Sequence, residues 1–135
     1  MYKTLLVAAA IGAMTLHARA DEPMQAVEAV AAQDVYEVIT IDVPNMDVLK
    51  PIVEKVVAAS EKEPGTITYA YMMTPDKKRV DIIMRFKDSD AALAHLKMFG
   101  QQYQKEFFAA SKQASFTVYG AANDDLKKAL EPRTS

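Results

Sequence analysis

The sequence predicts an α+β fold of the ferredoxin-like kind, β-α-β-β-α-β, with a four-stranded antiparallel sheet and helices on one face. Three observations carry this. Thr66–Met73 and Arg79–Phe86 are dense in β-branched and aromatic residues and are separated only by Thr74-Pro75-Asp76-Lys77-Lys78, so they pair as an antiparallel hairpin. A segment of helical spacing flanks the hairpin on each side. Beyond those segments lie one more strand candidate at each end, Val35–Val43 and Ser115–Tyr119.

Each element has its own local signal. Val35–Val43 is rich in Val and Ile and ends at Pro44, and Asn45 is placed to cap the next helix. In that helix Leu49, Ile52, Val53, Val56 and Val57 recur on one side, and Pro64-Gly65 stops it near Glu63. Asp88 or Ser89 caps the second helix, where Ala92, Leu93, Leu96, Phe99, Tyr103 and Phe107 follow at helical steps; Gly100 is a point where it could divide. Gly120 ends the last strand, Asp124–Leu130 reads as a short helix, and Glu131–Ser135 as a polar tail.

The first twenty residues stand apart. Met1-Tyr2-Lys3 is a short basic start, Leu5–Leu16 an apolar run with Thr15 its one polar residue, and Ala18-Arg19-Ala20 a small-x-small cleavage site. This is the layout of a secretory signal, and the run is well short of the roughly 20 residues that span a bilayer. The expected organisation is a signal peptide at 1–20, an Ala-rich acidic arm at 21–34, the folded domain at 35–120 and a terminal helix and tail at 121–135. Export to a periplasm or beyond follows, with no membrane association after cleavage.

Without residues 1–20 the chain keeps 14 basic and 18 acidic side chains, a formal charge of −4. The basic residues are scattered, which argues against a nucleic-acid partner. There is no cysteine, so stability rests on the core and on any partner subunit. His17 leaves with the signal, and His95 becomes the one histidine of the mature chain. A metal site is therefore not expected, and acid–base chemistry near neutral pH has one natural candidate.

The strand faces point to a homodimer. A sheet with one wet face alternates apolar and polar. Strand three sets Val80, Ile82, Met84 and Phe86 against Asp81, Ile83 and Arg85; strand two sets Ile67, Tyr69, Tyr71 and Met73 against Thr66, Thr68, Ala70 and Met72. Neither has a fully polar side. Helices cover one face, and a second copy of the sheet would cover the other.

Pro64-Gly65-x-Ile67-x-Tyr69, Phe86-x-Asp88 followed by Ala91-Ala92-Leu93-x-His95-Leu96, and Phe116-x-Val118-Tyr119-Gly120 occur in the order and spacing of the antibiotic-biosynthesis-monooxygenase (ABM) family. The chain resembles that family over about Val35 to Gly120. The resemblance implies a dimeric α+β barrel with a pocket between sheet and helices. It also implies chemistry of the kind the family's cofactor-independent oxygenases perform on quinols and other electron-rich aromatics, with no cofactor. Many members carry a glutamate on strand three where Met84 stands here. The haem-degrading branch uses a tryptophan and a strand-one asparagine, and this sequence has neither.

Within that frame His95 is the candidate base. It shares a helical strip with Phe99, Tyr103 and Phe107, and burial among aromatics would keep the imidazole neutral and able to accept a phenolic proton. The other reading is a histidine at the helix edge, hydrogen-bonded or solvated, with no chemistry. Arg85 is the candidate for steadying an oxyanion, or else pairs with Asp81 or Glu37. Tyr69, Tyr71, Met84, Phe99 and Tyr103 are candidates for holding an aromatic ring, or else ordinary core and dimer packing. The expected function is monooxygenation of a small aromatic. The alternatives are a non-catalytic periplasmic binding module for a small hydrophobic ligand and a purely structural interaction domain.

Overall fold

The computed structural model of the chain describes residues 33–134; the signal and most of the arm expected from the sequence lie outside them. Four strands, β1 (Val35–Asp42), β2 (Thr66–Met73), β3 (Arg79–Phe86) and β4 (Lys112–Gly120), form one antiparallel sheet in the order β2-β3-β1-β4. Helices α1 (Met46–Ser60), α2 (Ser89–Gln102), α3 (Gln104–Ala110) and α4 (Asp124–Leu130) and a 3-10 turn at Glu131–Arg133 complete the chain. This is the ferredoxin-like α+β fold the sequence predicts. None of the described helices is long and apolar enough to cross a membrane.

The caps fall where expected: Asn45 accepts from the Asp47 amide and Asp88 from the Ala91 amide, each satisfying a helix-start donor. Gly65 is needed for close approach, because a Cβ there would collide with Ala91 on α2. Gly120 has φ +88°, a left-handed conformation that L side chains rarely adopt, and lies against the Asp34 backbone.

One face of the sheet is the core. Val35, Ile41, Val80, Ile82, Met84 and Phe86 pack there against Leu49 and Val56 of α1, Ala92 and Phe99 of α2, and Leu126 and Leu130 of α4. The opposite face carries Tyr36, Val38, Ile83, Met72 and Tyr119; Met72 is 50% exposed and Tyr119 57%.

Several boundaries and contacts differ from the sequence reading. The long helical strip does not break at Gly100 but at Tyr103 (φ −128°, ψ −22°), between α2 and α3. Gly100 meets open space apart from the end of the Gln104 side chain, so nothing there forces a break. A register shift between Thr66 and Thr68 takes Ile67 out of the Tyr69–Tyr71–Met73 face and leaves it half exposed. Strand β4 begins three residues early, at Lys112, because a second shift opposite Thr40/Ile41 lets pairing with β1 continue. The polar tail folds back instead of trailing off, with the Gln113 amide donating to the Arg133 carbonyl at 2.6 Å.

Candidate active site

Between the sheet and the helices lies a small cavity. Its floor is Glu37 and Ile39 of β1, Ile82 and Met84 of β3, Tyr69 of β2 and Phe116 of β4. His95, Leu96 and Phe99 of α2 and Phe107 and Phe108 of α3 form the wall, and Arg133 of the 3-10 turn closes it beside Gln113. The space open to the centre of a water-sized sphere is about 30 Å³, enough for a few waters or a diatomic gas.

His95 enters this cavity because α2 is amphipathic with Ala92, His95 and Phe99 on its buried side. Its ring packs at 5.2 Å from Phe86 and 5.4 Å from Tyr69, centroid to centroid, and stacks at 16° to Phe99. Nδ1 lies 2.9 Å from Glu63 Oε2, and the same oxygen accepts from the Thr66 hydroxyl at 2.8 Å. An ionised carboxylate can only accept, so the Nδ1–H donates and Nε2 keeps its lone pair. Burial among apolar rings lowers the imidazole pKa, while the Glu63 hydrogen bond and charge oppose that shift. The result is a neutral imidazole oriented by a carboxylate, an arrangement that can accept a proton and stabilise the imidazolium so formed.

Glu37 is the carboxylate of the floor. It is 3% exposed, and its Oε1 has no hydrogen-bond partner. Burial raises its pKa to about 7, with Arg133 pulling the other way. Arg133 does not ion-pair with it; the guanidinium donates to Gln104 Oε1 at 2.7 Å and sits 6.0 Å from the Phe99 ring centroid. Among the described residues no three His, Cys, Asp or Glu side chains gather as metal ligands would.

The structure brings His95, Tyr69, Met84 and Phe99 together. Tyr71 stands one step back, on the same face, with its hydroxyl 3.2 Å from that of Tyr69. Burial pushes the Tyr71 phenol up to about 12 and Tyr69 well above its usual value, so both are neutral donors at neutral pH. Tyr103 does not line the cavity; it packs against the core at the α2–α3 break. Arg85 is not brought to the site. It alternates with Met84 on β3 and therefore points to the opposite face, where its Nε donates to Asp34 at 2.7 Å and its guanidinium lies 5.6 Å from the Tyr36 ring centroid. Neither partner considered for it from the sequence, Asp81 or Glu37, is the one it takes.

Sequence reasoning missed Glu37, Glu63 and Arg133 as members of the site. Glu37 carried a signal: in β1 it sits between the apolar residues Val35 and Ile39 at period two, a lone carboxylate on the core face. Glu63 and Arg133 carried none, since they reach the site from a turn and from the tail.

No family model and no curated protein matches the chain. Solved structures do. MupZ from Pseudomonas fluorescens superposes with a TM-score of 0.63 at 18% identity, covering 74% of this chain and 81% of that one. SnoaB, a cofactor-independent oxygenase from Streptomyces nogalater, superposes with a TM-score of 0.60 at 18% identity, covering 68% and 96%. A Bacteroides thetaiotaomicron protein described as a possible oxidoreductase gives 0.56 at 18% identity, covering 66% and 98%. At this identity the likeness establishes a shared fold.

Proposed function

We propose that the protein is a cofactor-independent monooxygenase of small electron-rich aromatics, with His95 as its base. The observation that carries this is the Glu63–His95 pair: a neutral imidazole, oriented by a carboxylate, whose second nitrogen is left for a ligand in an aromatic-walled cavity. His95 takes the phenolic proton, and the electron-rich phenolate reacts with molecular oxygen at a ring carbon. One oxygen atom stays as a new carbonyl and the other leaves as water. The substrate supplies all four electrons, so no added reductant is required. The fold shared with SnoaB agrees with this reading.

The test is oxygen uptake by residues 21–135 with a panel of quinols and polyphenols, beside the His95→Ala variant. Uptake by the wild type that falls at least about 100-fold in the variant supports the role. Undiminished uptake by a folded variant refutes it. A second reading, a non-catalytic binding module for a small hydrophobic ligand, is favoured by Met84, an apolar side chain on the cavity floor where many members of the resembling family carry a glutamate. It predicts saturable binding with no oxygen consumed.

The same proposal takes the chain as exported and homodimeric. The half-exposed Met72 and Tyr119 on the helix-free face, with Val38 and Ile83 between them, are the surface a second sheet would bury. Light scattering should give twice the chain mass; a monodisperse monomer at micromolar concentration would refute the dimer.

A further inference from the structure

We infer that the 3-10 turn Glu131–Arg133 is the gate of the cavity, with Arg133 as its bolt: the turn swings out from Leu130 to admit a molecule to His95 and returns to seal the space. The inference rests on the proposed function only in that a ligand must reach His95. It adds which element lets the ligand in.

The closed cavity offers about 30 Å³, so anything larger than a few waters reaches His95 only when a wall moves. The walls differ in what holds them. The floor is a hydrogen-bonded sheet. Helix α2 is fixed by the close approach of Ala91 to Gly65 and by Ala92 and Phe99 in the core. Helix α3 is fixed by buried Phe107 and by the edge-on contacts among Phe99, Phe107 and Phe108. The turn has no such anchor, since none of its three residues is buried. Two hydrogen bonds tie it to the walls: the Gln113 amide donates to the Arg133 carbonyl at 2.6 Å, and the Arg133 guanidinium donates to Gln104 Oε1 at 2.7 Å. Leu130, the residue before it, is 1% exposed and packs in the core, which makes the junction between them a hinge.

The bolt is also held at a cost. Among the described residues Arg133 forms no ion pair; its direct partners are a neutral amide and, 6.0 Å away, the Phe99 ring. Burial lowers its pKa, with the Glu37 charge opposing, so the guanidinium is better solvated in water than in the closed site. A segment with few buried contacts and a poorly solvated charge is the part of a wall that opens at the lowest free energy.

The experiment measures how fast diethyl pyrocarbonate modifies His95 in the purified full chain, read at the His95 peptide by mass spectrometry. The reagent acylates a neutral imidazole nitrogen and is too large for the closed cavity. His95 Nδ1 is engaged by Glu63, so the reaction falls on Nε2. Its rate follows the population of the open form when opening and closing are fast. Gln104→Leu removes the acceptor of the bolt and should speed modification about tenfold, the ratio expected for one hydrogen bond to a charged group. Gln113→Leu should also speed it. Gln104→Glu gives the guanidinium a charged acceptor and should slow it below the wild type. Amide hydrogen exchange in β1 and β3 should stay the same in all four proteins, which separates gate opening from unfolding. An unchanged rate in Gln104→Leu or Gln113→Leu, a Gln104→Glu rate at or above the wild type, or faster exchange in β1 and β3 alongside the acceleration overturns the inference. No ligand and no oxygen enter this assay, so failure of the oxygenase reading, seen as no oxygen uptake, leaves its result standing.

Discussion

Two carboxylate–guanidinium couples sit on opposite faces of one sheet and have opposite fates. On the helix-free face Asp34 and Arg85 meet directly at 2.7 Å, with Tyr36 beneath the guanidinium. On the helix face Glu37 and Arg133 share a cavity and do not pair. Asp34 is as buried as Glu37, at 4% against 3%, so burial alone does not separate them. What separates them is satisfaction. The Asp34–Arg85 pair closes a strand end, next to the Gly120 backbone and the Ala121 amide that donates to the Asp34 carbonyl. The Glu37 carboxylate is held by the fold at an energetic cost, and a cost of that kind is common where a ligand is awaited. The sheet thus spends one charged couple on structure and keeps the other open.

The largest expected effect tests whether chemistry belongs to the helix face alone. His95→Ala should lower oxygen uptake by about 100-fold or more, whereas Arg85→Ala should leave it within about twofold. An equal loss in both variants, seen in the same electrode assay, would break the comparison.

Next is the stability of Glu37→Gln, read by urea denaturation at several pH values. The folded pKa of Glu37 is raised from 4.5 to about 7, so below pH 4.5 both states hold the proton and no penalty exists. As pH rises through about 7 the wild type loses the stability of its buried neutral carboxyl, by about 3 kcal/mol at one kcal-scale step per pKa unit. Glutamine does not titrate, so the variant should gain on the wild type between pH 4.5 and 7 and hold that lead at pH 8. His95 works in the other direction. Its folded pKa is lowered, so its contribution is present above the ordinary histidine value and lost as pH falls through the folded one.

A smaller effect is expected from Glu63→Gln, about tenfold in rate, because the base loses its orienting charge. Glu63 raises the His95 pKa against desolvation, so without its charge the limb on which activity rises with pH should move to lower pH. A limb moving upward would show that Glu63 does not act on the imidazole. The smallest is Asp34→Asn, a modest loss of stability with oxygen uptake unchanged, since the amide keeps an acceptor for Arg85 and the Arg85 side chain is partly solvated. A loss of uptake there would tie the helix-free face to the site.

Much of this was legible in the chain. The hairpin, the two helices and their Asn45 and Asp88 caps follow from local rules: β-branched density, turn chemistry and amphipathic spacing. His95 and Phe99 could be read as sharing one strip because they lie four apart on α2, and pocket placement was one of the two readings that strip allowed. Met84 was legible as the floor, and with it the departure from the glutamate that many members of the resembling family carry there. Its cross-strand partner in β1 is Glu37, so this site does hold a carboxylate, one strand over. That fact needed the register.

The sequence by itself determined the element order and the fold class, because each depends on periodicities of two or 3.6 residues that are local in the chain; that His95 is buried was decided by the packing of α2 on the sheet. Only the tertiary structure decided which charges face the cavity. Strand alternation sent Arg85 away from Met84, a register shift released Ile67, and the return of the 3-10 turn brought Arg133 beside Glu37, nearly a hundred residues distant in the chain. Long-range pairing sets those positions, and no local pattern encodes it.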